Sequence, residues 1–376
     1  MSDTGATPAA VPTEAPGATP PEGHGAPRVT VAGHLCLDLT PKLTGSERID
    51  PGRLFEVGPL AVRLGGSVAN TGGGLVDLGF PVTLVATVGD DPLGALLHQI
   101  VEGRPGMTAR LRAMPSAATS YSLVVETPES DRTFWHHVGG NAHFDGTELD
   151  EPGQGSPDAG TGPDLVHLGY PNLLPALLPD DGEPLRAALA RARQRGAVTS
   201  LDLAVIDPTS ETGRLDWEAI LRRVLPETDI ITPSIDDLTS ALRIDDPVDD
   251  ALVERLAQQL LDASAALVAV TAGPRGIYLA AATPERLRAL SAGHRALPGF
   301  DVDAWQGLRA WVPAFPVPRV ATTTGAGDAA TAGFLSGLLR GAAPLTCGAL
   351  AMASSAAVVS GRRLDRAVLD EIMSAG

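Results

Sequence analysis

Residues 322–328 read Thr322-Thr323-Thr324-Gly325-Ala326-Gly327-Asp328 and run without a break into the small-residue stretch Ala329 to Leu339. A helix opened by two glycines and an alanine leaves its first N–H groups without carbonyl partners and without side chains to screen them. The helix dipole adds positive potential at the same end. The stretch is therefore a cradle for an oxyanion. Asp328 falls in the first turn beside it, where a carboxylate stays ionised and can take a proton from an attacking hydroxyl. Read alone, the same segment is also an ordinary glycine-rich loop followed by an acidic first-turn helix stabiliser.

A second glycine cluster lies far upstream: Gly65-Gly66-Ser67-Val68-Ala69-Asn70, then Gly72-Gly73-Gly74 and Leu78-Gly79. Two glycines between a strand-like ribbon and a helix let a ligand approach the backbone closely, and Asn70 offers a donor and an acceptor to a vicinal diol. The spacing is not Gly-x-Gly-x-x-Gly, and no strand leads straight into it within a βαβ unit, so a dinucleotide fold is excluded. The alternative is a glycine-rich helix face that packs tightly.

Between and around these clusters, short Val/Leu/Ala-rich runs alternate with amphipathic stretches of helical length, which predicts an α/β fold around a mostly parallel sheet. Strands are expected at Val29 to Leu35, Val82 to Val88, Leu165 to Leu168, Val198 to Leu203, Asp229 to Thr232, Leu267 to Thr271 and Gly276 to Ala280. Helices are expected at Ser67 to Leu78, Pro92 to Glu102, Pro184 to Arg195, Trp217 to Val224, Val248 to Ala263, Gly325 to Arg340, Leu345 to Ser360 and Leu364 to Ser374. Leu54 to Leu64 and Ser120 to Val138 break the alternation. They read as antiparallel ribbons added to the main sheet, a candidate lid, with Glu129, Ser130 and Asp131 as a turn. Asp145 to Asp164 and Gly293 to Asp303 read as mobile surface loops. Residues 1–27 mix Ala, Pro, Gly and Thr and read as a disordered tail before one domain over 28–376.

Composition narrows the chemistry. With 45 acids against 28 bases the formal net charge is −17, which disfavours a nonspecific grip on nucleic acid or an anionic membrane and points to a small-molecule partner. The one lysine, Lys42, lies between Pro41 and Leu43, so a P-loop and a protein-kinase lysine are both excluded. The two cysteines, Cys36 and Cys347, are far apart and lack a Cys-x-x-Cys. No secretory signal or apolar span is read, so a cytoplasmic location is expected. No ligand spacing suits a structural zinc. His136 and His137, being adjacent in a strand, face opposite sides and cannot both enter one site, so lid packing is their expected role. Trp305 and Trp311 read as packing residues.

Taken together, Gly65-Gly66 with Asn70 and Leu78-Gly79, and Gly325-Ala326-Gly327-Asp328, resemble the two signatures of the ribokinase-like (PfkB) carbohydrate and nucleoside kinases. The resemblance runs from about Arg28 to the C-terminus. Val31-Ala32-Gly33 through Asp38, Asp131-Arg132-Thr133-Phe134, Gly139-Gly140-Asn141-Ala142 and Thr271-Ala272-Gly273 with Gly276 support it. It implies a three-layer α/β/α fold with a small β lid, its strands within about 45–64 and 118–138. It also implies ATP-dependent, Mg2+-assisted phosphorylation of a hydroxymethyl group of a monosaccharide. By this resemblance Asp328 is the general base and Gly325, Ala326 and Gly327 form the anion hole. Asp38, Gly65, Gly66 and Asn70 hold the substrate. Ser234, Thr271, Gly273 and Gly276 serve ATP, and Asp237 serves the metal. The chain departs from the family's pattern at three places. Ser234-Ile235-Asp236-Asp237 stands where Asn-x-x-Glu is usual, and Asp236 and Asp237 also read as N-terminal helix charge. Thr322 replaces the acid or amide that opens the second signature beside a monovalent-cation site, so a weakened cation response is expected. Leu168-Gly169-Tyr170 replaces a sugar-binding acid. With only Arg63 and Arg132 as lid cations, a neutral sugar is favoured over a sugar phosphate. A nucleoside kinase, drawing on Tyr121, Phe134, Trp135 and Tyr170, and a non-catalytic ligand-binding member are the alternatives. The reading leaves room for a homodimer through the lid.

Overall fold

Val29, Val31, Leu165, Leu267 and Ala269 pack into one hydrophobic cluster, whereas their strand neighbours Ala32, Val166, Leu168, Val268 and Val270 pack into another. Successive side chains of a strand leave opposite faces, so this split means a sheet buried on both sides. The computed structural model describes residues 26–43, 52, 54–127, 130–150, 162–292 and 296–375. Most of the expected tail, and residues 151–161 and 293–295 of the two expected loops, lie outside them.

In chain order the strands are β1 (Val29–Gly33), β2 (Cys36–Pro41), β3 (Leu60–Gly65), β4 (Val82–Gly89), β5 (Met107–Met114), β6 (Tyr121–Thr127) and β7 (Ser130–His137). They continue with β8 (Leu165–Gly169), β9 (Val198–Asp202), β10 (Ile230–Ile231), β11 (Leu267–Thr271), β12 (Ile277–Ala281) and β13 (Arg309–Val312). The helices are α1 (Ser67–Asp77), α2 (Pro92–Glu102), α3 (Pro179–Gln194), α4 (Trp217–Val224), α5 (Ile235–Leu242) and α6 (Asp250–Asp262). After them come α7 (Pro284–Ser291), α8 (Val302–Trp305), α9 (Ala326–Leu339), α10 (Pro344–Val359) and α11 (Arg366–Ala375).

The main sheet has nine strands in the order β13-β12-β11-β10-β9-β8-β1-β4-β5. It is parallel except where β12 pairs with β11 and β13. Buried residues of α1, α2, α9, α10 and α11, such as Leu75, Leu97, Phe334, Leu350 and Met373, cover one face. Those of α3 to α6, such as Leu189, Ile220, Leu238 and Leu256, cover the other. The chain leaves β1 toward β4 and β5 on one side and adds β8 to β13 on the other. The order of winding therefore reverses between β1 and β8, where α/β sheets form a crevice at the carboxyl ends of their strands.

The expected small lid is present, but the two ribbons do not extend the main sheet as expected; with β2 they form a separate four-stranded sheet in the order β3-β2-β6-β7. The first expected strand, Val29 to Leu35, stops at Gly33, and the chain re-forms as β2 in the lid. Ser130 and Asp131, expected in a turn, are already in β7, and Ser130 pairs with Thr127. Glu129 lies outside the described residues. The edge strands β5 and β13 and the helices α5 and α7 are additions that apolar run length alone did not mark. Asp145 to Asp164 is anchored at its start, where the buried Glu148 accepts a hydrogen bond of 2.9 Å from Thr87 Oγ1. Within Gly293 to Asp303, Phe300 stacks on the buried Trp305 at 5.8 Å. Among the described residues no helix is long and apolar enough to cross a membrane.

Candidate active site

Three strands end level with one another at the reversal point, with Gly33, Gly169 and Asp202 as cross-strand neighbours. A Cβ at Gly33 would lie 2.4 Å from the Gly169 carbonyl, so the row is packed too tightly for a side chain there. His34 and Tyr170 follow the first two of these residues into the crevice, their ring centroids 6.1 Å apart.

The helix that carries Asp328 is fixed by its surroundings. α9 is buried almost all round, and a Cβ at Gly333 would sit 2.4 Å from the Leu350 carbonyl of α10. Backbones that touch leave the helix no room to slide. α1 approaches equally closely, since a Cβ at Gly74 would lie 2.7 Å from that of Ala332. Gly74 thus serves helix packing, and Gly72 packs the helix on the sheet, where a Cβ would lie 2.6 Å from Leu84. Gly325 caps α9 in the left-handed region at φ 77°, which turns the chain from the exposed Thr323 and Thr324 into the buried helix. The space where a Gly327 Cβ would stand is open, and one at Gly325 would come 3.9 Å from Asn70 Nδ2.

The Asp328 carboxylate is buried and accepts three hydrogen bonds: from Thr71 Oγ1 at 2.9 Å, Asn70 Nδ2 at 3.0 Å and the Tyr170 hydroxyl at 2.8 Å. Burial pushes its pKa above the ordinary aspartate range, and these three donors pull it part of the way back. Hydrogen bonds to a charged group contribute about 1.5–3 kcal/mol each, enough to offset much of the cost of burying the charge. Tyr170 keeps its proton, because burial and then the charges of Asp328 and Asp202 raise its pKa well above that of a free phenol.

Asp202, Thr71 and His34 are residues of this crevice that sequence reasoning missed, and Tyr170, read there only as an aromatic ring, is a hydroxyl donor to Asp328. Asp202 is buried at the end of β9, its pKa raised well up by burial and then by Asp237 and Asp328. Thr331 of α9 donates to it over 3.4 Å. An acid closing the strand run Val198-Thr199-Ser200-Leu201 was the available signal for Asp202, and the hydroxyl next to Asn70 was the signal for Thr71.

On the substrate side, Asp38 sits in β2 over Gly65, where a Cβ would come within 2.4–2.5 Å of the carboxylate. Gly66, at φ 85°, lies against His34, whose carbonyl accepts the Val68 N–H. Burial raises the Asp38 pKa against the pull of the Cys36 thiol and Ser122 hydroxyl. The four expected substrate residues therefore fall in one place, with Asn70 joined directly to Asp328. The Asn141 side chain is committed to the backbone, accepting the Leu35 N–H at 3.3 Å and donating to the Leu35 carbonyl at 3.0 Å.

On the opposite side of Asp328, Ser234 and Thr271 form an isolated parallel bridge beyond β10 and β11. Gly273 faces open space. Gly276 is held by packing, since a Cβ there would lie 2.1 Å from the Val312 carbonyl. Ser234 and Asp237 form a reciprocal cap on α5: Asp237 Oδ2 accepts the Ser234 N–H at 2.7 Å and Ser234 Oγ the Asp237 N–H at 3.1 Å. Burial takes the Asp237 pKa up to about 7 despite these bonds. Thr322 holds its own loop, its Oγ1 accepting the Thr324 N–H at 3.2 Å.

The pfkB family carbohydrate kinase model matches residues 26–368. The chain belongs to this family. It is 27% identical over 315 residues to the Arabidopsis thaliana protein named "Probable fructokinase-6, chloroplastic", covering 83% of this chain and 70% of that one. It is 25% identical to "Probable fructokinase-7" of the same plant, covering 83% and 78%. Among solved structures, the Arabidopsis thaliana ribokinase complexed with ribose and ATP superposes with a TM-score of 0.67 at 17% identity, over 93% of this chain and 99% of that one. The Sinorhizobium meliloti adenosine kinase gives 0.65 at 20% identity, over 94% and 100%. The ribokinase-like α/β fold with its smaller lid sheet is thus shared, and the chain is a phosphotransferase with an alcohol acceptor, a sugar or nucleoside kinase. Kinases of this family use ATP, commonly with Mg2+.

Proposed function

We propose that this enzyme transfers the γ-phosphate of ATP to the hydroxymethyl group of a neutral monosaccharide. The observation that carries the reading is the Asp328 carboxylate, buried at the start of α9 beside the Gly325 turn and oriented by Asn70, Thr71 and Tyr170. The acceptor hydroxyl gives its proton to Asp328 as its oxygen bonds to the γ-phosphorus. The bond to the β,γ-bridging oxygen breaks and ADP leaves. Gly325, Ala326 and Gly327 supply backbone N–H groups and open space for the charge on the transferring phosphoryl. Asp38, Gly65, Gly66 and Asn70 bind the sugar. Ser234, Thr271 and Gly273 border the nucleotide, with Gly276 shaping the turn behind them.

A magnesium ion fits the donor set through water. One Asp237 oxygen is committed to Ser234, and Mg2+ in phosphoryl transfer usually keeps several waters and few protein ligands. Bound there, it would neutralise phosphate charge. Asp38 opposes an anionic sugar, and Arg63, its cross-strand partner, is exposed. Trp135 and Tyr121 lie on the strand face opposite to that of Asp38, and Phe134 is the one aromatic of the four that shares the Asp38 face of the lid. Both cysteines are free and buried, as suits a reducing cytoplasm. The lid row Val62, Leu39, Leu123 and Trp135 is apolar, with Leu39 packed on the body and Trp135 50% exposed, and suits a homodimer through the lid. Light scattering that finds only monomer would remove that last element.

The test of the function is a panel of D-fructose, D-ribose, other neutral sugars, sugar phosphates and nucleosides, scored by ATP-dependent ADP formation. A neutral sugar should give the highest kcat/KM. A sugar phosphate or a nucleoside ahead of every neutral sugar would reverse the assignment.

A further inference from the structure

Asp38, Ser122 and His136 stand in one cross-strand row of the lid, Asp38 paired with Ser122 and Ser122 with His136. Residues in register across a sheet share a face, and this face meets the body at His34. The His34 and His136 rings are 5.1 Å apart at their centroids, and a Cβ on Gly66 would come 2.6 Å from His34 Nδ1. A continuous polar line therefore runs from Asp328 through Tyr170, His34, His136 and Ser122 to Asp38. Along it, both ring nitrogens of His34 and Nε2 of His136 are buried with no hydrogen-bond partner among the described residues. His136 Nδ1 is taken by Ser122 Oγ at 3.1 Å. Buried polar atoms are rarely left unpaired, because the lost hydration is not repaid.

We propose that His34 from the body and His136 from the lid close on two hydroxyls of the sugar and are specificity-determining residues for an uncharged polyol. The inference rests on the neutral-sugar reading above and deepens it. A neutral imidazole presents one donor and one acceptor, and a hydroxyl can meet either. A vicinal diol can therefore satisfy nitrogens on both rings, whereas a carboxylate or phosphate can meet only the donors and would face Asp38. Burial lowers the pKa of both rings, that of His34 to about 3. The groups facing them are Tyr170, Ser122, Cys36 and Asp38, with His137 on the neighbouring face of β7. His136 belongs to the lid strand β7 and His34 to the link between β1 and β2, so the sugar reaches the nitrogens at the seam between lid and body.

The test compares His34→Leu, His34→Gln, His136→Leu and wild type on the best neutral sugar of the panel, with circular dichroism to confirm folding. The leucine variants should raise the sugar KM about tenfold or more while kcat and the ATP KM stay within a few-fold, and His34→Gln, which keeps a donor and an acceptor, should recover most of the loss. A merely structural pair would lower the melting temperature and leave the sugar KM alone, and that result overturns the proposal. If His34→Leu fails to fold, His136→Leu on the lid decides by the same criterion. A wild-type enzyme that phosphorylates no neutral sugar overturns this inference together with the functional reading. Wild-type activity on a neutral sugar, with unchanged KM in the leucine variants, overturns this inference alone.

Discussion

The two sheets of this molecule are built for opposite tasks. In the main sheet every residue of β8, β9 and β12 is buried, whereas most of β3 in the lid is exposed, and Leu60, Phe134 and Trp135 are each about half exposed. Residues gripped on two faces hold still, and those gripped on one can yield. In the mechanism we propose, the chemistry sits on the first kind: Asp328 hangs from a helix whose backbone touches its neighbour. In the same proposal recognition is shared with the second kind, through Asp38, Ser122 and His136. A kinase needs both, because the base must be placed to a fraction of an ångström while the acceptor has to enter and leave.

The comparison breaks most visibly at Asp328. Asp328→Asn should lower kcat by roughly 10²-fold or more with little change in the ATP KM, as expected for loss of a general base. A near-normal kcat would remove Asp328 from the mechanism. Tyr170→Phe takes away one donor to the ionised carboxylate, so the Asp328 pKa should rise, the acidic limb of the kcat profile should move up in pH, and kcat should fall roughly tenfold. An acidic limb that stays in place would show that Tyr170 does not tune the base.

A smaller effect probes the nucleotide side of the body. The folded-state pKa of Asp237 is raised, so between the ordinary aspartate range and about 7 the folded chain holds a proton that the unfolded chain has released. Stability is therefore lost as pH rises through that window. Asp237→Asn should flatten the fall in melting temperature from about pH 5 to about pH 8 measured without nucleotide. An unchanged slope would mean that Asp237 is already ionised. The smallest effect concerns potassium. Thr322 brings a hydroxyl without negative charge and spends it on its own loop, so exchanging potassium for a bulky organic cation at constant ionic strength should change kcat by no more than about twofold. Large, saturable activation by potassium would contradict this.

What could be read in the sequence follows the same divide. The body was legible because strands buried on two faces write continuous Val/Leu/Ala runs, and because Gly325 to Asp328 carries its chemistry in consecutive residues. The lid was blurred: β2 follows β1 after two residues, and nothing in Val29 to Leu35 marks the passage from one sheet to the other. Asp202 and His34 were hidden for a different reason, and Tyr170 was visible only as an aromatic ring. Each closes or follows a buried strand, and only the alignment of Gly33, Gly169 and Asp202 across three strands brings them to one crevice. His136 was judged from alternation alone, which fixes that it and His137 part company but not which of them meets the body.

The division of labour is tested most directly by calorimetric titration, without ATP, of the best neutral sugar into wild type, Asp328→Asn and Asp38→Asn. Asp328→Asn should bind the sugar within a few-fold of wild type despite its roughly 10²-fold or greater loss of kcat, and Asp38→Asn should bind at least about tenfold more weakly, the loss expected for a charged hydrogen-bond acceptor. Loss of sugar binding in Asp328→Asn with full binding in Asp38→Asn would contradict the account.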